Sequence, residues 1–194
     1  MFKSKPKFDV NTLKLNIKLA IERINIVKRK KVELSKRTRK NVADLISKQE
    51  ITSATIKTEQ LIRDDNLIEA MDVVKNYLEI LHSRSGLIQT QQNIDESLTI
   101  AVMSMIWVDP RLSCDIPELS IISKQFLSKY GKQFYDTAIS NSLQLVFPHL
   151  VSLLSVEPPS DCLIDQYMKA IAEAHHVQFT STYVDKNEHL VYYL

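Results

Sequence analysis

The fold is decided by residues 13–45, LKLNIKLAIERINIVKRKKVELSKRTRKNVADL. Apolar residues recur along this stretch in alternating steps of four and three, at Leu13, Ile17, Ala20, Ile24 and Val27 and, after a lapse at Lys31, at Leu34 and Leu45. This spacing is typical of a helix whose apolar stripe faces another helix. Neither proline nor glycine occurs in residues 7–85, so the pattern predicts an uninterrupted helix over about 9–47.

A second long helix is predicted after a polar break at residues 49–53, where Thr52 or Ser53 is a candidate N-cap. Its apolar stripe has the same spacing and consists of Leu67, Met71, Val74, Leu78, Leu81 and Ile88. Gly86 lies late in this helix, where we expect it to be tolerated or to mark a bend. Two long helices joined by a few polar residues predict a long antiparallel hairpin, the simplest arrangement that buries both stripes.

Shorter helices are predicted to follow the hairpin. Asn93 as N-cap, with Glu96 three residues later, indicates a third helix, which we expect to end before Pro110. A fourth helix is predicted to start near Pro117, and Gly131 is expected to cap or kink it. The predicted fold class is therefore all-α, with shorter helices packed at one end of the hairpin.

The last predicted helix is preceded by two proline signals. Segment 132–156 is expected to contain a helix weakened by Pro148, and Pro158-Pro159 then forms a short rigid spacer. Ser160 is predicted to cap the final helix, which extends to about residue 175 and folds back on the hairpin. Its apolar arc is wider than docking on one surface requires, because it includes Leu163, Ile164, Tyr167, Met168, Ala170, Ile171, Ala172 and Ala174.

The composition agrees with a helical globular domain. The 194 residues include only 2 Gly and 6 Pro, with 44% hydrophobic and 25% charged residues. This balance excludes disorder of the whole chain and disfavours an enzyme built on glycine-rich loops. The net charge of +2 conceals an asymmetry, because residues 1–48 carry +11 and the remainder −9. We expect the basic segment to be neutralised within the chain or to meet an external polyanion.

The cysteines and the hydropathy of the sequence indicate in which cellular compartment the protein is expected. Cys114 and Cys162 lie far apart and outside any metal-ligand or redox motif, so we expect both to be reduced, in a cytosolic protein. The sequence has no apolar run of about 18 residues, and Met1–Phe8 lacks the apolar core of a signal peptide. Any membrane contact is therefore predicted to be peripheral.

The sequence contains no catalytic motif, and no cofactor or metal site is predicted. A phosphate-binding glycine loop, a G-x-S-x-G nucleophile turn and an H-E-x-x-H zinc motif are all missing. His175 and His176 are adjacent, so on a helix their rings diverge and do not chelate a metal. Asp64 and Asp65 with Glu69 are interpreted as a solvated helix face paired with Arg63, because no third hard ligand converges in sequence.

A basic cluster covers most of the circumference of the first helix, leaving Val32 and Leu34 for packing. It consists of Lys28, Arg29, Lys30, Lys31, Lys36, Arg37, Arg39 and Lys40. Three interpretations remain open: a solvated face paired with acids of the second helix, a face attracted to anionic lipid or used in a polymer, and a nucleic-acid surface. The last is the weakest, since the cluster has no interleaved aromatic residue for base stacking.

Several short motifs together resemble the increased sodium tolerance family, and the match is closest to the fungal member. They are VADLI (42–46), IRDDNLIEAM (62–71), SRSGLIQ (83–89), IW (106–107), PRL (110–112) and LSVEPP (154–159). The resemblance extends over about residues 9–178. We therefore expect one domain over 1–178 and a tail, the start of a linker, over 179–194.

The resemblance implies an ESCRT-III-like fold and a non-enzymatic role in multivesicular body sorting and cytokinesis. Members of the family regulate the vacuolar protein sorting four AAA ATPase, which disassembles ESCRT-III polymers. They bind the C-terminal MIT-interacting helix of an ESCRT-III subunit of the Did-two or CHMP-one type. A cytoplasmic location, peripheral at the endosomal membrane, is expected. Residues 176–194 contain no MIT-interacting motif, so recruitment of the ATPase is expected through a C-terminal region that this sequence lacks.

The wide apolar arc and the resemblance together suggest where a partner helix binds. The hypothesis is a groove between the last helix and the second, formed by Leu163, Ile164, Tyr167, Met168 and Ile171 with Val73, Tyr77 and Ile80 opposite. The alternative is that these residues only seal the last helix onto the hairpin. Without the resemblance, the second functional interpretation would be a basic helical module that binds nucleic acid.

Overall fold

The computed structural model describes residues 7–181, and every regular element within this span is an α-helix. The helices are α1 (Val10–Ser47), α2 (Ile51–Ser83), α3 (Ser85–Thr90), α4 (Glu96–Leu112), α5 (Glu118–Ser140), α6 (Pro148–Leu153) and α7 (Asp161–Ala174). The predicted all-α fold class is confirmed. Residues 1–6, which belong to the stretch examined for a signal peptide, lie outside the described part of the chain. Residues 182–194 of the predicted tail also lie outside it.

The chain divides into two compact units, and the two long helices contribute to both. The first unit consists of the chain up to Arg29 together with Leu67–Ser155. The second takes Lys30–Asn66 together with the chain from Val156 onward. Each unit therefore has a stretch of α1, a stretch of α2 and its own hydrophobic cluster.

In the first unit, the stripe predicted for α1 is completely buried at Leu13, Ile17, Ala20 and Ile24. It packs in one cluster with the α2 stripe, whose buried members are Met71, Val74, Leu78 and Leu81. Helix α4 lies within the same cluster and buries all eight residues from Ala101 to Val108. An all-round buried helix of this kind belongs to the core rather than to the surface of a unit.

The turn between α1 and α2 ends the first helix at Ser47, as predicted, but starts the second helix two residues earlier than predicted. Gln49 has a φ of 62°, its N–H donates to the carbonyl of Ile46 at 2.9 Å, and the N–H of Glu50 donates to Leu45 at 3.0 Å. These two bonds form a Schellman motif. Helix α2 therefore begins at Ile51, before the predicted side-chain caps Thr52 and Ser53.

Two other helix boundaries were wrong by a few residues. The N-cap of α4 is Asp95 rather than Asn93, and its carboxylate accepts from the N–H of Ser97 at 2.9 Å. The same helix continues through Pro110 to Leu112, although proline cannot donate to the preceding turn. Burial of Leu112 in the cluster of the first unit favours the helical backbone there over the ending that the proline predicts.

Glycine and proline act differently in the remaining helices. Helix α2 ends at Ser83, and the irregular residue before α3 is Arg84, so Gly86 lies inside α3. Gly131 kinks α5 with a φ of 84° and a ψ of 172°, which confirms the predicted interruption. Pro148 is the first residue of α6 and begins that helix rather than weakening it, because the first helical position needs no N–H.

In the second unit, α7 packs against both long helices. Its residues Ile164, Met168, Ile171 and Ala172 form a cluster with Val42, Ala43 and Ile46 of α1 and with Ala54, Leu61 and Ile62 of α2. The Ser160 hydroxyl accepts from the N–H of Leu163 at 3.3 Å, as the capping prediction requires. The prediction that the last helix folds back on the hairpin is confirmed within this unit.

Candidate functional site

Helix α7 is amphipathic and has a well-defined end at each side. Ser160 caps its first turn, and His176, with a φ of 56°, ends it. The N–H of Val177 then donates to the carbonyl of Ala172 at 2.9 Å, a second Schellman motif. Val177 and Phe179 pack against the cluster of the second unit, so the first residue of the predicted tail contacts the domain.

One face of α7 remains uncovered and lines a groove of about 410 Å³. Leu163 is 36% exposed, Tyr167 is half-buried, and the small side chains of Ala170 and Ala174 are exposed. Together with Arg39 of α1, the lining consists of Leu163, Gln166, Tyr167, Ala170, Ile171, Ala174 and His175. We call this surface the α7 groove. Its apolar residues follow the i, i+4, i+7, i+11 spacing that one helix presents to another.

Two of the residues predicted for the groove belong to the opposite flank of α7. Ile164 is 7% exposed and Met168 is 3% exposed, and both contribute to the core of the second unit. Both also line a smaller cavity of about 250 Å³, which includes Ile51 and Thr55 of α2 and therefore lies between the two helices for which the groove was predicted. The rest of its lining is Asp161, Asp165 and Phe179. Of the five residues predicted on α7, the groove therefore includes Leu163, Tyr167 and Ile171.

The residues predicted to face α7 from the second helix lie in the first unit. Val73 and Tyr77 are partly buried against the cluster of that unit, and Ile80 is exposed. The ring of Tyr77 meets Phe147 edge-on, with centroids 5.8 Å apart, and burial raises the pKa of the Tyr77 hydroxyl. Their participation in a groove with α7 stays a prediction.

Arg39 is held in place by two neighbours. Its Nη2 lies 2.6 Å from Oδ2 of Asp65, and its Nη1 donates to the hydroxyl of Ser35. That hydroxyl in turn donates to Oδ1 of Asp65 at 2.9 Å. Arg63, which the sequence suggested as the partner of the acidic pair, instead bonds Glu59 on its own helix at 2.6 Å.

The basic cluster of α1 contains both paired and unpaired cations. Lys28 bonds Asp72 at 2.5 Å in the first unit, while Lys31 lies 3.9 Å from Asp64 in the second. Lys36 pairs with Glu33 of the same helix. In residues 7–181, no acidic side chain forms an ion pair with Arg29, Lys30, Arg37 or Lys40.

Sequence reasoning left five residues of the lining out of the groove, namely Arg39, Gln166, Ala170, Ala174 and His175. Ala170 and Ala174 are on the predicted apolar stripe of α7, but their small size gave no reason to single them out. Arg39 was predicted to belong to the basic face of α1, for which solvation, membrane or polymer contact and nucleic-acid binding were left open. The signal that could have placed it is its spacing from Ser35 and Val42, at four and three residues, which continues the buried stripe of α1.

Other candidate sites are weak in the part of the chain that the structure describes. No group of three or more potential metal ligands occurs in residues 7–181. His175 and His176 follow the end of α7. Cys114 and Cys162 are free thiols. None of the helices between residues 7 and 181 combines the length and apolar character needed to cross a bilayer.

Comparison of the structure with solved structures defines the class of fold. The chain superposes on the crystal structure of the Saccharomyces cerevisiae Ist1 N-terminal domain in complex with the Did2 MIM motif, with a TM-score of 0.82. The match covers 93% of this chain and 100% of that chain, at 24% sequence identity. The class is therefore an ESCRT-III-like helical domain.

Comparison of the sequence defines the family. Residues 14–178 match the family described as "Ist1: Regulator of Vps4 activity in the MVB pathway". The chain belongs to the Ist1 family, whose name abbreviates increased sodium tolerance, and the resemblance to this family is confirmed. The expectation that the fungal member matches best is wrong, since a relative from Dictyostelium discoideum is 34% identical and two fungal relatives are 25% and 26% identical.

Individual relatives are longer than this chain. An IST1-like protein of Dictyostelium discoideum is 34% identical over 179 residues, which is 92% of this chain and 48% of the relative. Vacuolar protein sorting-associated protein IST1 of Saccharomyces cerevisiae is 25% identical over 176 residues, which is 87% of this chain and 58% of the relative. Vacuolar protein sorting-associated protein ist1 of Schizosaccharomyces pombe is 26% identical over 174 residues, which is 86% of this chain and 60% of the relative. The chain thus spans about half the length of the relatives it matches.

Proposed function

We propose that this chain is a non-enzymatic, ESCRT-III-like protein of multivesicular body sorting that binds a partner helix in the α7 groove. The observation that carries the proposal is the uncovered apolar face of α7 beside Arg39. Such a face fits helix-in-groove recognition, in which an amphipathic helix buries anchors at helical spacing. The solved relative is a complex of an Ist1 N-terminal domain with the Did2 MIM motif, which supports a partner of the Did-two or CHMP-one type.

The regulatory part of the proposal concerns the ATPase. The family is described as a regulator of Vps4 activity, and this chain spans only part of its relatives. We propose that the domain regulates Vps4 by binding an ESCRT-III subunit, and that direct contact with the ATPase is made through a separate C-terminal region.

The test is titration of the purified chain with a labelled peptide of the Did2 MIM motif. We expect saturable binding, and we expect Ala170→Trp to weaken it at least tenfold because the indole fills the groove. Tyr167→Ala should also weaken binding by removing apolar contact. Lys169→Trp adds the same ring to an exposed neighbouring position outside the groove lining and should bind normally.

Folding must be separated from binding in this test. Met168→Asp is a poor probe, because it places a charge in the core and should unfold the second unit. Ala170→Trp, at an exposed position, should keep the helical circular dichroism and thermal midpoint of the parent chain. Equal binding by the Ala170→Trp and Lys169→Trp variants would place the partner elsewhere and contradict the proposal.

A second proposal concerns the basic face of α1, which we propose contacts anionic membrane at the cytoplasmic side of endosomes. Support comes from the four unpaired cations Arg29, Lys30, Arg37 and Lys40. Each basic residue near an anionic surface contributes about 1 kcal/mol, and the attraction falls with salt. A polymer of copies and, more weakly, nucleic acid are the other partners that this face could contact, and the test distinguishes them from membrane.

These alternatives are distinguished by changing the four unpaired cations to glutamine. Binding to vesicles with 30 mol% phosphatidylserine, at a matched ionic strength, should fall by about tenfold or more. The control changes Lys28 and Lys31, whose charges already face Asp72 and Asp64, and should lose less affinity per charge removed. Tighter binding to DNA or RNA than to vesicles would favour the nucleic-acid module instead.

A further inference from the structure

The α7 groove has a fixed positive group in its lining. Arg39 is the only residue of α1 that lines the groove, and its side chain is 37% exposed. A guanidinium has five N–H donors. The contacts with Ser35 and Asp65 use one hydrogen on each terminal nitrogen, so the remaining donors stay available to a ligand.

The holding contacts fix the orientation of these donors. Ser35 is buried at 4% exposure, and Asp65 is mostly buried, so the fork of Arg39 is attached to an ordered part of the second unit. An arginine whose plane is already fixed loses less side-chain entropy when it binds a carboxylate. This arrangement suits recognition better than a mobile surface lysine does.

The opposite part of the groove suits a closely packed helix. Ala170 and Ala174 carry the smallest side chains of the lining and lie one helical turn apart, so a partner helix can approach α7 closely there. From Leu163 to Ala174 the apolar ridge spans about 16 Å, at a rise of 1.5 Å per residue. A partner segment of about three helical turns therefore covers the ridge.

We propose that Arg39 is a specificity residue of the α7 groove and that it binds a carboxylate at the edge of the apolar stripe of the partner helix. The ligand class is thus an amphipathic helix with large apolar anchors over Ala170 and Ala174 and one aspartate or glutamate facing Arg39. Ser35 and Asp65 act as positioning residues. The inference rests on the proposed function, because it requires that a helix occupies this groove.

The experiment is a double-mutant cycle on the intact chain, with the Did2 MIM motif peptide as probe. Each aspartate and glutamate of the peptide is changed singly to asparagine or glutamine and titrated against the parent chain and against Arg39→Met. We expect Arg39→Met to weaken binding about tenfold or more. One peptide substitution should weaken binding to the parent chain by a similar factor. The same substitution should hardly weaken binding to the Arg39→Met variant further.

Two variants separate the specific contact from charge and folding. Arg39→Lys keeps the charge but cannot bond Ser35 and Asp65 in the same plane, and we expect it to lose most of the affinity. Arg37→Met removes an exposed, unpaired cation from the same helix and should bind as the parent does. The double variant Arg39→Met with Asp65→Asn avoids leaving an unpaired carboxylate and serves as the measurement if Arg39→Met is unstable.

The outcomes distinguish this inference from the proposed function. If Ala170→Trp blocks binding while Arg39→Met binds as Arg37→Met does, the groove stands and the role of Arg39 is overturned. Equal losses for every acidic substitution in both backgrounds would likewise overturn it. If the peptide does not bind the parent chain, or Ala170→Trp has no effect, the proposed function itself fails.

Discussion

The lapse in the apolar stripe at Lys31 is a polar continuation of the same stripe rather than an interruption. From Ile24, the inward positions of α1 continue in steps of four and three through Lys28, Lys31, Ser35 and Arg39 to Val42. The charged members of this series pair with acids of α2 inside their own unit. Leu34, predicted to pack, is one position off the series and is 49% exposed.

Arg23 and Glu118 make the stability of the first unit dependent on pH. Glu118 is 7% exposed, and its carboxylate accepts from Nε of Arg23 at 2.7 and 2.8 Å. Hydrogen bonding by Arg23 lowers the pKa of Glu118 below its usual 4.5, although burial opposes this. Because the folded pKa is depressed, the stabilisation is complete above about pH 4.5 and is lost as the pH falls through the lowered value.

Changing Arg23 to methionine should therefore lower the thermal midpoint at pH 7, and the difference from the parent should shrink below pH 4.5. Arg63→Met removes an exposed pair within one helix and should have little effect at any pH. Thermal unfolding followed by circular dichroism at several pH values measures both. A pH-independent difference for Arg23→Met would show that lost packing, not the ion pair, is responsible.

Gln49 has a left-handed backbone conformation, which favours glycine over other residues. A non-glycine residue at a φ of 62° costs about 1–2 kcal/mol. We expect Gln49→Gly to stabilise the chain by about 1 kcal/mol, after the extra freedom of glycine in the unfolded chain is counted. Lys40→Gly, in the exposed interior of α1, should instead destabilise by about 1 kcal/mol. Urea unfolding compares the two, and destabilisation by both would contradict the expectation.

Among the elements, α5 depends on one glycine. Gly131 has a backbone conformation that side chains rarely adopt, and a Cβ there would meet no atom within 4 Å, so any cost of Gly131→Ala is conformational. We expect a loss of about 1–3 kcal/mol. Gly86 lies within α3, also with open space around it, and Gly86→Ala should stabilise by about 0.5–1 kcal/mol. Equal effects of the two changes in denaturant unfolding would refute this account.

Helix α7 has an inner face toward the core and an outer face toward the groove. Its inner face includes Met168 and Ala172 in the core, its outer face includes Leu163 and Ala170 in the groove, and Ile171 between them contributes to both. Because Leu163 and Ala170 lie outside the core, substitutions at these two positions can test the proposed partner binding without changing the core. This separation makes the groove testable by mutation.

At the scale of the whole molecule, the described residues form two hydrophobic clusters, and we expect these to open separately. Met168→Ala removes a buried side chain from the second unit and should cost about 2–5 kcal/mol there. Hydrogen exchange should then accelerate in α7 and in residues 42–62, while α4 stays protected. Mass spectrometry of peptides from both units measures this, and uniform acceleration throughout residues 7–181 would show a single cooperative unit.

Much of the helical organisation could be predicted, but the exact helix ends and the site could not. Glycine and proline were interpreted correctly at Gly131, where only the backbone decides. They were interpreted incorrectly at Pro110, because packing of the surrounding helix overrides the local preference. The apolar stripe of α7 was visible, but periodicity does not distinguish Met168 in the core from Ala170 in the groove.

The sequence by itself determined the all-α class, the two long helices, the last capped helix and the family, because these depend on local spacing and on short motifs. Only the tertiary structure decided which face of α7 is covered, which cations of α1 are paired, and that Arg39 meets Ser35 and Asp65 beside the groove. The reason is physical. Periodicity records which residues share a face of a helix, whereas burial and ion pairing depend on which other helix that face meets.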